Sequence, residues 1–472
     1  MLKNANRAWE ALLGFFGAED VNGIVSSRRV FGIHLLPDLQ AETLAQVNPY
    51  APTLLGVHQP YEQRPLTISG LLVRGNDQAI AITPLQYRDV DIGESEPFPA
   101  LNTGLWLFQV DGQPVAVLLS QYSNFRSGKF AQVEIATLPG SEAQAFARTF
   151  LKRIQEAGAN SILYRGKVLS FEGGSDYSGM STEMSVHKLS PVAREAIILD
   201  DATMARLDRH VFAFNRHRAG LRRLGQSIRK GLLLYGPPGT GKTHVIRYIA
   251  SNLPARTTIL ITAEQVQDLT RYMLLARTLQ PSIVVLEDVD LVGRSREGMN
   301  SPKTEVLLNR LLNEMDGLGD DADILFLLTT NRPEEIEEAL ASRPGRVDEA
   351  IEIANPDAAC RARLIALYGG ALQFEEGAID DAVALSEGAS AAFVKEMVRR
   401  LAQASLSLRS AEILDRAMVN RAMVAAVFGE AVENGNRIGR RIVGLSNAPK
   451  HAGRAGAPPL DGCGEDLELG TD

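Results

Sequence analysis

The sequence has little cysteine and no long uninterrupted apolar stretch. Its two cysteines, Cys360 and Cys463, are too few for a disulfide framework or a cysteine metal cluster, and they fit a reducing compartment. No run of about eighteen apolar residues occurs, and the first residues lack the apolar core and cleavage site of a signal peptide. We therefore expect neither secretion nor a membrane span, and predict a cytoplasmic location.

Basic charge is also in short supply. The chain has 49 Lys and Arg against 57 Asp and Glu, a formal net charge of −8, and no long basic block. This balance disfavours a nucleic-acid partner, because such proteins usually carry a basic patch. At 472 residues the chain is too long for one hydrophobic core, so two or three domains are expected.

The chain does contain a phosphate-binding pattern between a short apolar run and a predicted helix. Residues 231–235 are mostly apolar, and residues 244–252 have helical character. Glycines at such a strand-to-helix turn let backbone N–H groups surround a phosphate, and a following lysine reaches the β- and γ-phosphates of a nucleotide. The predicted nucleotide-binding residues are Gly236, Pro237, Pro238, Gly239, Thr240, Gly241, Lys242 and Thr243.

A second landmark is the apolar run 283–286, which ends in Glu287 and Asp288. It is typical of a buried parallel strand whose carboxyl end delivers acidic side chains to a site. Phosphoryl transfer uses one carboxylate to hold Mg²⁺, and hydrolysis needs a group that activates water. The alternative is a pair of solvated charges at a strand end.

Three polar residues further along the chain are also candidates. Asn331 follows an apolar run at 324–328 and is placed to sense a γ-phosphate, although Asn-Arg-Pro alone is simply a turn. Arg343 and Arg346 flank a Pro-Gly turn. In isolation they are solvated surface charges, whereas beside a nucleotide site of a neighbouring subunit they can stabilise transition-state charge.

Residues 1–185 contain no catalytic motif but have the pattern of an independent α+β domain. Strands are predicted at 66–73, 79–82, 105–110, 115–119 and 133–137, and Asp111-Gly112 is a strong hairpin signal. A helix is predicted from Ser141 to about Gly158. We expect this domain to bind a partner.

Taken together, the phosphate loop, the acidic pair, Asn331 and the two arginines resemble the AAA family of ring-forming ATPases, over residues 197–444. The resemblance implies a P-loop α/β sheet with a small helical lid, ATP and Mg²⁺ as cofactors, hydrolysis at subunit interfaces and a homo-oligomeric ring. The domains are then an N-terminal α+β domain at 1–185, a nucleotide-binding domain at 186–354, a helical lid at 355–445 and a disordered tail at 446–472.

Two features depart from the usual family pattern. Glu287 precedes Asp288, an order similar to relatives of the mitochondrial Rieske-protein translocase, here without a membrane anchor. On this resemblance we assign Thr243 and Glu287 to Mg²⁺ and Asp288 to the attacking water, while either acid remains a candidate for water activation. Segment 262–273 lacks the aromatic–apolar–Gly triplet of threading members, so Tyr272 is predicted to be a packing residue.

The predicted function is Mg-dependent ATP hydrolysis that drives remodelling or chaperoning of an unidentified protein partner. The catalytic residues are predicted to be Asp288, Glu287, Lys242, Asn331, Arg343 and Arg346. The alternative is a slow ATP-dependent switch or assembly scaffold.

Overall fold

The fold is described from a computed structural model. It describes residues 6–17, 23–74, 79–124, 128–171, 184–262, 265, 269–290, 311, 313–315, 317–319, 321–334, 347–407 and 417–438. The chain forms two compact units, Met1–Asn355 and Pro356–Asp472. The second begins one residue after the start predicted for the lid, and the division of the first into domains at residue 185 stays a prediction.

The first half of the larger unit is built on a six-stranded sheet in the order β1-β8-β7-β6-β2-β3. Its paired strands are antiparallel. The strands are β1 (Val25–Gly32), β2 (Thr53–Val57), β3 (Ile82–Thr83), β6 (Gly104–Val110), β7 (Gln113–Asn124) and β8 (Gly128–Thr137), with a separate pair β4 (Tyr87–Val90) and β5 (Phe98–Leu101). The helices are α1 (Ala8–Phe16), α2 (Leu36–Val47), α3 (Ile68–Leu71) and α4 (Ser141–Ala159), with short 3-10 turns at Ile33–Leu35 and Asn48–Tyr50.

Helices cover both faces of this sheet, and the alternation of side chains along its strands explains why. On β6, Trp106 packs in a core with residues of α2 and α4, whereas Leu105 and Leu107 pack on the other face with residues of α1 and α3. Successive strand residues point to opposite faces, so a strand that is apolar throughout needs a cover on each side. The predicted α+β character of this region is confirmed.

The hairpin between β6 and β7 is confirmed at its turn. Asp111 and Gly112 have φ angles of 48° and 79°. Two consecutive positive φ values are the requirement of a type I′ turn, which Asp-Gly meets at low steric cost.

The strand predicted at 66–73 is wrong, because Ile68–Leu71 is a short helix. Thr67 begins it, since its side chain accepts a hydrogen bond from the backbone N–H of Gly70 at 3.1 Å. Ile68 and Leu71 are buried three residues apart in the core with α1. The apolar run therefore has helical as well as strand spacing, and the neighbouring α1 surface decides between them.

The remainder of the larger unit is built on a seven-stranded sheet in the order β10-β9-β12-β13-β14-β11-β15. Its strands are β9 (Val168–Ser170), β10 (Ser185–His187), β11 (Lys230–Tyr235), β12 (Thr257–Ile261), β13 (Ser282–Leu286), β14 (Ile324–Thr330) and β15 (Glu349–Glu352). Every pair is parallel except β9 with β10. The helices are α5 (Asp201–Leu207), a π-helix (Asp208–Ala213), α6 (Phe214–Arg223), α7 (Lys242–Asn252) and α8 (Leu269–Thr278), with a 3-10 turn at Arg194–Ala196.

This parallel sheet confirms the predicted P-loop α/β fold. Strands β13 and β14, which contain the apolar runs 283–286 and 324–328, are buried at every residue. The carboxyl ends of β11, β13 and β14 meet at one edge because the strands run in the same direction. Strand β9, however, joins this sheet beside β12, although residues 168–170 fall within the predicted N-terminal domain.

Phe171 follows β9 and fixes this strand against α8. Its ring packs on the ring of Tyr272 with centroids 4.7 Å apart, and its backbone N–H donates to the Tyr272 hydroxyl at 3.3 Å. Tyr272 is 1% exposed, so its predicted role as a packing residue is confirmed.

The smaller unit is largely helical where it is described. It contains α9 (Ala358–Tyr368), α10 (Ala378–Leu385), α11 (Ala391–Ser407) and α12 (Arg421–Ile438), with a parallel pair of short strands, β16 (Leu372–Phe374) and β17 (Ala417–Val419). The predicted tail at 446–472 lies outside the described residues. Within the described part of the chain, no helix combines the length and apolarity needed to cross a membrane.

Candidate nucleotide site

The phosphate loop connects the end of β11 at Tyr235 to the start of α7 at Lys242. Gly236, Gly239 and Gly241 have φ angles of 145°, 79° and 107°, in the region that favours glycine. A Cβ on Gly236 would lie 2.3 Å from the backbone oxygen of Ile353, the residue after β15. Residue 236 must therefore be glycine for two reasons: its φ angle is positive, and its backbone lies close to the backbone of Ile353.

Lys242 lies at the centre of this site and is 6% exposed. Its Nζ donates to the backbone oxygens of Gly236 at 2.8 Å and Pro237 at 2.9 Å, and to Oδ1 of Asn331 at 2.7 Å. Burial lowers the pKa of Lys242, and the carboxylates of Asp288 and Asp290 oppose that shift. The ammonium group is therefore held between the loop and the acidic edge of the sheet.

Asp288 lies two residues after β13, in an unusual backbone conformation with φ of 48°. Its backbone N–H donates to Oγ1 of Thr329 at 2.9 Å, and its Oδ1 accepts a hydrogen bond from Nδ2 of Asn331 at 3.1 Å. Strained backbone of this kind is frequent at functional sites, where surrounding contacts hold it. Lys242, Asn331 and Asp288, which are far apart in the sequence, form one continuous chain of hydrogen bonds.

Glu287 and Thr243 are the residues predicted to hold Mg²⁺. Glu287 directly follows β13 and is half-buried, and Thr243 is exposed in the first turn of α7. A hydroxyl and a carboxylate oxygen are ligands that Mg²⁺ accepts, and nucleotide phosphates and water normally complete its shell. In the described part of the chain no three His, Cys, Asp or Glu residues are grouped to hold a metal on their own.

Arg343 and Arg346 lie outside the described residues, so their predicted role stays a prediction. Thr329 and Asp290 are site residues that sequence reasoning did not single out. The available signal was a Thr-Thr-Asn run at the end of one strand and a third carboxylate after its neighbour. Neither the Thr-Thr-Asn run nor the third carboxylate shows by itself that the two strands are adjacent.

Residues 232–355 match the family model described as "ATPase family associated with various cellular activities (AAA)". The chain is 39% identical over 159 residues to the ATP-dependent zinc metalloprotease FtsH of Mycobacterium tuberculosis, a match that covers 31% of this chain and 20% of the relative. It is 31% identical over 233 residues to the protein of the same name from Corynebacterium glutamicum, covering 46% of this chain and 25% of that relative. The chain thus spans only a fifth to a quarter of the length of these two relatives.

Proposed function

We propose that this chain, which contains an ATPase domain of the AAA family, hydrolyses Mg-ATP to remodel a protein partner. ATP hydrolysis is the reaction of such domains. The observation that supports it most directly is the chain of hydrogen bonds from Lys242 through Asn331 to Asp288, at the edge of the sheet where the phosphate loop ends. It places a cation for phosphate, an amide and a carboxylate within one site.

Each of these groups has a role in the proposed reaction. The loop N–H groups and Lys242 bind the phosphates, and Asn331 orients the γ-phosphate and the attacking water. Asp288 accepts a hydrogen bond from that water and takes its proton as the water oxygen attacks phosphorus and the bond to ADP breaks. Thr243 and Glu287 would hold Mg²⁺, which when bound neutralises charge on the β- and γ-phosphates.

A protein is proposed as the substrate class because the relatives are named as ATP-dependent proteases. Those names also specify zinc, and the 472 residues contain no His-Glu-x-x-His run of the kind that binds catalytic zinc on a helix. The proposal for this chain therefore extends to remodelling and not to proteolysis.

Two features favour a translocase-like handler of folded proteins over a threading motor. Glu287 precedes Asp288, as in relatives of the Rieske-protein translocase. Tyr272, the aromatic residue of segment 262–273 where threading members carry a pore loop, is buried, and its hydroxyl donates to Oε1 of Gln265 at 2.9 Å. Its side chain is thus committed to packing and is not presented to a substrate.

A homo-oligomeric ring is proposed from the same family pattern, with Arg343 and Arg346 reaching the nucleotide of the next subunit. Guanidinium groups supplied in this way stabilise charge on the transferred phosphoryl group. Specific activity should then rise with protein concentration, and a constant specific activity in a monomer would contradict this part of the proposal.

The test is steady-state phosphate release by the wild type, Lys242→Ala and Lys152→Ala. Lys152 is the matched control, because its side chain is 77% exposed on α4 and pairs only at 3.8 Å with Glu156. We expect turnover to be lost in Lys242→Ala and kept in Lys152→Ala. Equal turnover in all three would refute the assignment of the site, and a slow rate that no protein partner stimulates would favour the switch or scaffold instead.

A further inference from the structure

The acidic loop, defined as residues 288–290, is joined to the end of β14 by hydrogen bonds that run in both directions. The backbone N–H groups of Asp288 and Val289 donate to the hydroxyl and the backbone oxygen of Thr329, each at 2.9 Å. In the other direction, the Thr330 hydroxyl and the Asn331 backbone N–H donate to the carboxylate of Asp290 at 3.0 and 3.1 Å. The two strand ends therefore hold each other in a fixed relative position.

Of the two acids in the acidic loop, Asp290 is buried and Asp288 is half-buried. Asp290 is 3% exposed, and Thr330 beside it is fully buried. Both hydrogen bonds end on the same oxygen, Oδ1. The Thr330 hydroxyl also accepts a hydrogen bond from the Arg332 backbone N–H at 2.9 Å, so it serves as both donor and acceptor.

This arrangement determines where the Asn331 side chain lies. The Asn331 backbone N–H is held by Asp290, while its side chain reaches Lys242 and Asp288 with its two amide atoms. Without Asp290, the backbone of Asn331 loses its hydrogen bond, and Thr330 loses the acceptor that orients its hydroxyl. The amide would no longer be fixed between the cation and the water-activating acid.

We propose that Asp290 is a positioning residue for ATP hydrolysis, which holds Asn331 in line with Asp288 and the attacking water. The inference rests on the proposed function. Asp290 accepts hydrogen bonds from Thr330 and Asn331, and its effect on the reaction is exerted through them. Because one oxygen accepts both bonds, the amide oxygen of asparagine can replace it.

Asp290→Ala should therefore lower kcat by about 10²-fold, the scale of a misplaced catalytic group. Its affinity for ATP should change by no more than about threefold, because the phosphate loop and the hydrogen bonds of Lys242 to Gly236 and Pro237 are kept. Asp290→Asn should recover kcat to within about threefold of the wild type, since it keeps the acceptor. A purely electrostatic role of Asp290 predicts the opposite, namely equal losses in both variants.

Ser282→Ala is the matched control for stability. Ser282 lies at the other end of β13, is fully buried, and donates to the backbone oxygen of Ala276 at 3.0 Å. The Ser282→Ala variant should be less stable than the wild type but should keep the wild-type kcat. If Asp290→Ala does not fold, Thr330→Val removes one of the two donors and should lower kcat in the same direction.

Amide hydrogen exchange gives a readout that does not depend on activity. The backbone amide hydrogen of Asn331 should exchange faster in Asp290→Ala than in the wild type. In Asp290→Asn it should exchange at the wild-type rate. The inference is overturned if Asp290→Ala, or Thr330→Val where the first variant does not fold, keeps wild-type kcat in an active enzyme. It is also overturned if Asp290→Asn is as impaired as Asp290→Ala. Absence of turnover in the wild type would instead refute the proposed function, and the exchange rates would still test the contact.

Discussion

Replacement of Asp288 by asparagine separates the chemistry of this side chain from its structural role. Asparagine keeps the size of the side chain and an oxygen that can accept the hydrogen bond from Nδ2 of Asn331, now 3.1 Å from Oδ1. It also tolerates the positive φ of 48° better than most residues do. The variant loses the negative charge and the ability to take a proton, while the loop keeps its conformation.

The expected loss follows from that role. A positioned general base contributes about 10²–10⁴-fold, so kcat should fall by that factor, equivalent to about 3–5 kcal/mol of activation free energy. The affinity for ATP should stay within about threefold of the wild type, because the contacts of Lys242 with the loop remain. The melting temperature should change by less than about 3 °C, since no packing is removed.

The assay is phosphate release at saturating ATP, with ATP affinity measured separately by titration. Asp111→Asn is a close control, because Asp111 also has φ of 48° but lies in the β6–β7 turn. It undergoes the same chemical change in the same backbone conformation and should keep full turnover. Near-normal turnover in Asp288→Asn would refute water activation by Asp288, and if Glu287→Gln then binds ATP without hydrolysing it, the two acids have the opposite roles.

Three further predictions concern stability and binding. Burial lowers the pKa of His34 to about 4 from 6.5. The unfolded state thus binds more protons between those values, and stability falls as the pH drops through them. Between about pH 7 and pH 4.5 the free energy of unfolding, measured with urea, should fall by about 2 kcal/mol less in His34→Phe than in the wild type. An unchanged pH dependence would contradict this. Gly236→Ala places a Cβ 2.3 Å from the oxygen of Ile353 and should weaken ATP binding at least about tenfold in a titration, whereas wild-type affinity would show that the loop adapts. Asp323→Ala leaves the guanidinium of Arg256, 2% exposed and 2.6 Å from the carboxylate, without its charge partner. It should cost about 3–5 kcal/mol in chemical denaturation, and a loss below about 1 kcal/mol would refute the importance of this pair.

The sequence predicts those features of this molecule that depend on the chemistry of a few adjacent residues. Asp111-Gly112 predicts its turn because this pair adopts two positive φ values at low steric cost. The helix predicted from Ser141 to about Gly158 is observed as α4 (Ser141–Ala159), since its apolar residues recur at helical spacing.

A segment whose structure depends on a distant partner has no local sequence pattern that predicts it. The run 66–73 has enough apolar residues for a strand or a helix, and its packing against α1 selects the helix. The three residues of β9 carry no sign that they extend the nucleotide-binding sheet, because they pair with β12 residues that lie ninety positions further along the chain. Contacts at such separations depend on the whole fold and leave no local pattern.

The sequence alone determined that a phosphate loop, an acidic strand end and an asparagine occur in the order of an AAA ATPase. Each of these motifs is a short stretch of adjacent residues whose chemistry is local. The tertiary structure decided which atoms meet. Adjacent parallel strands bring Asn331 between Lys242 and Asp288, and the same adjacency buries Asp290 against Thr330. Hydrogen bonds across strand ends depend on register and direction, which only the folded sheet specifies.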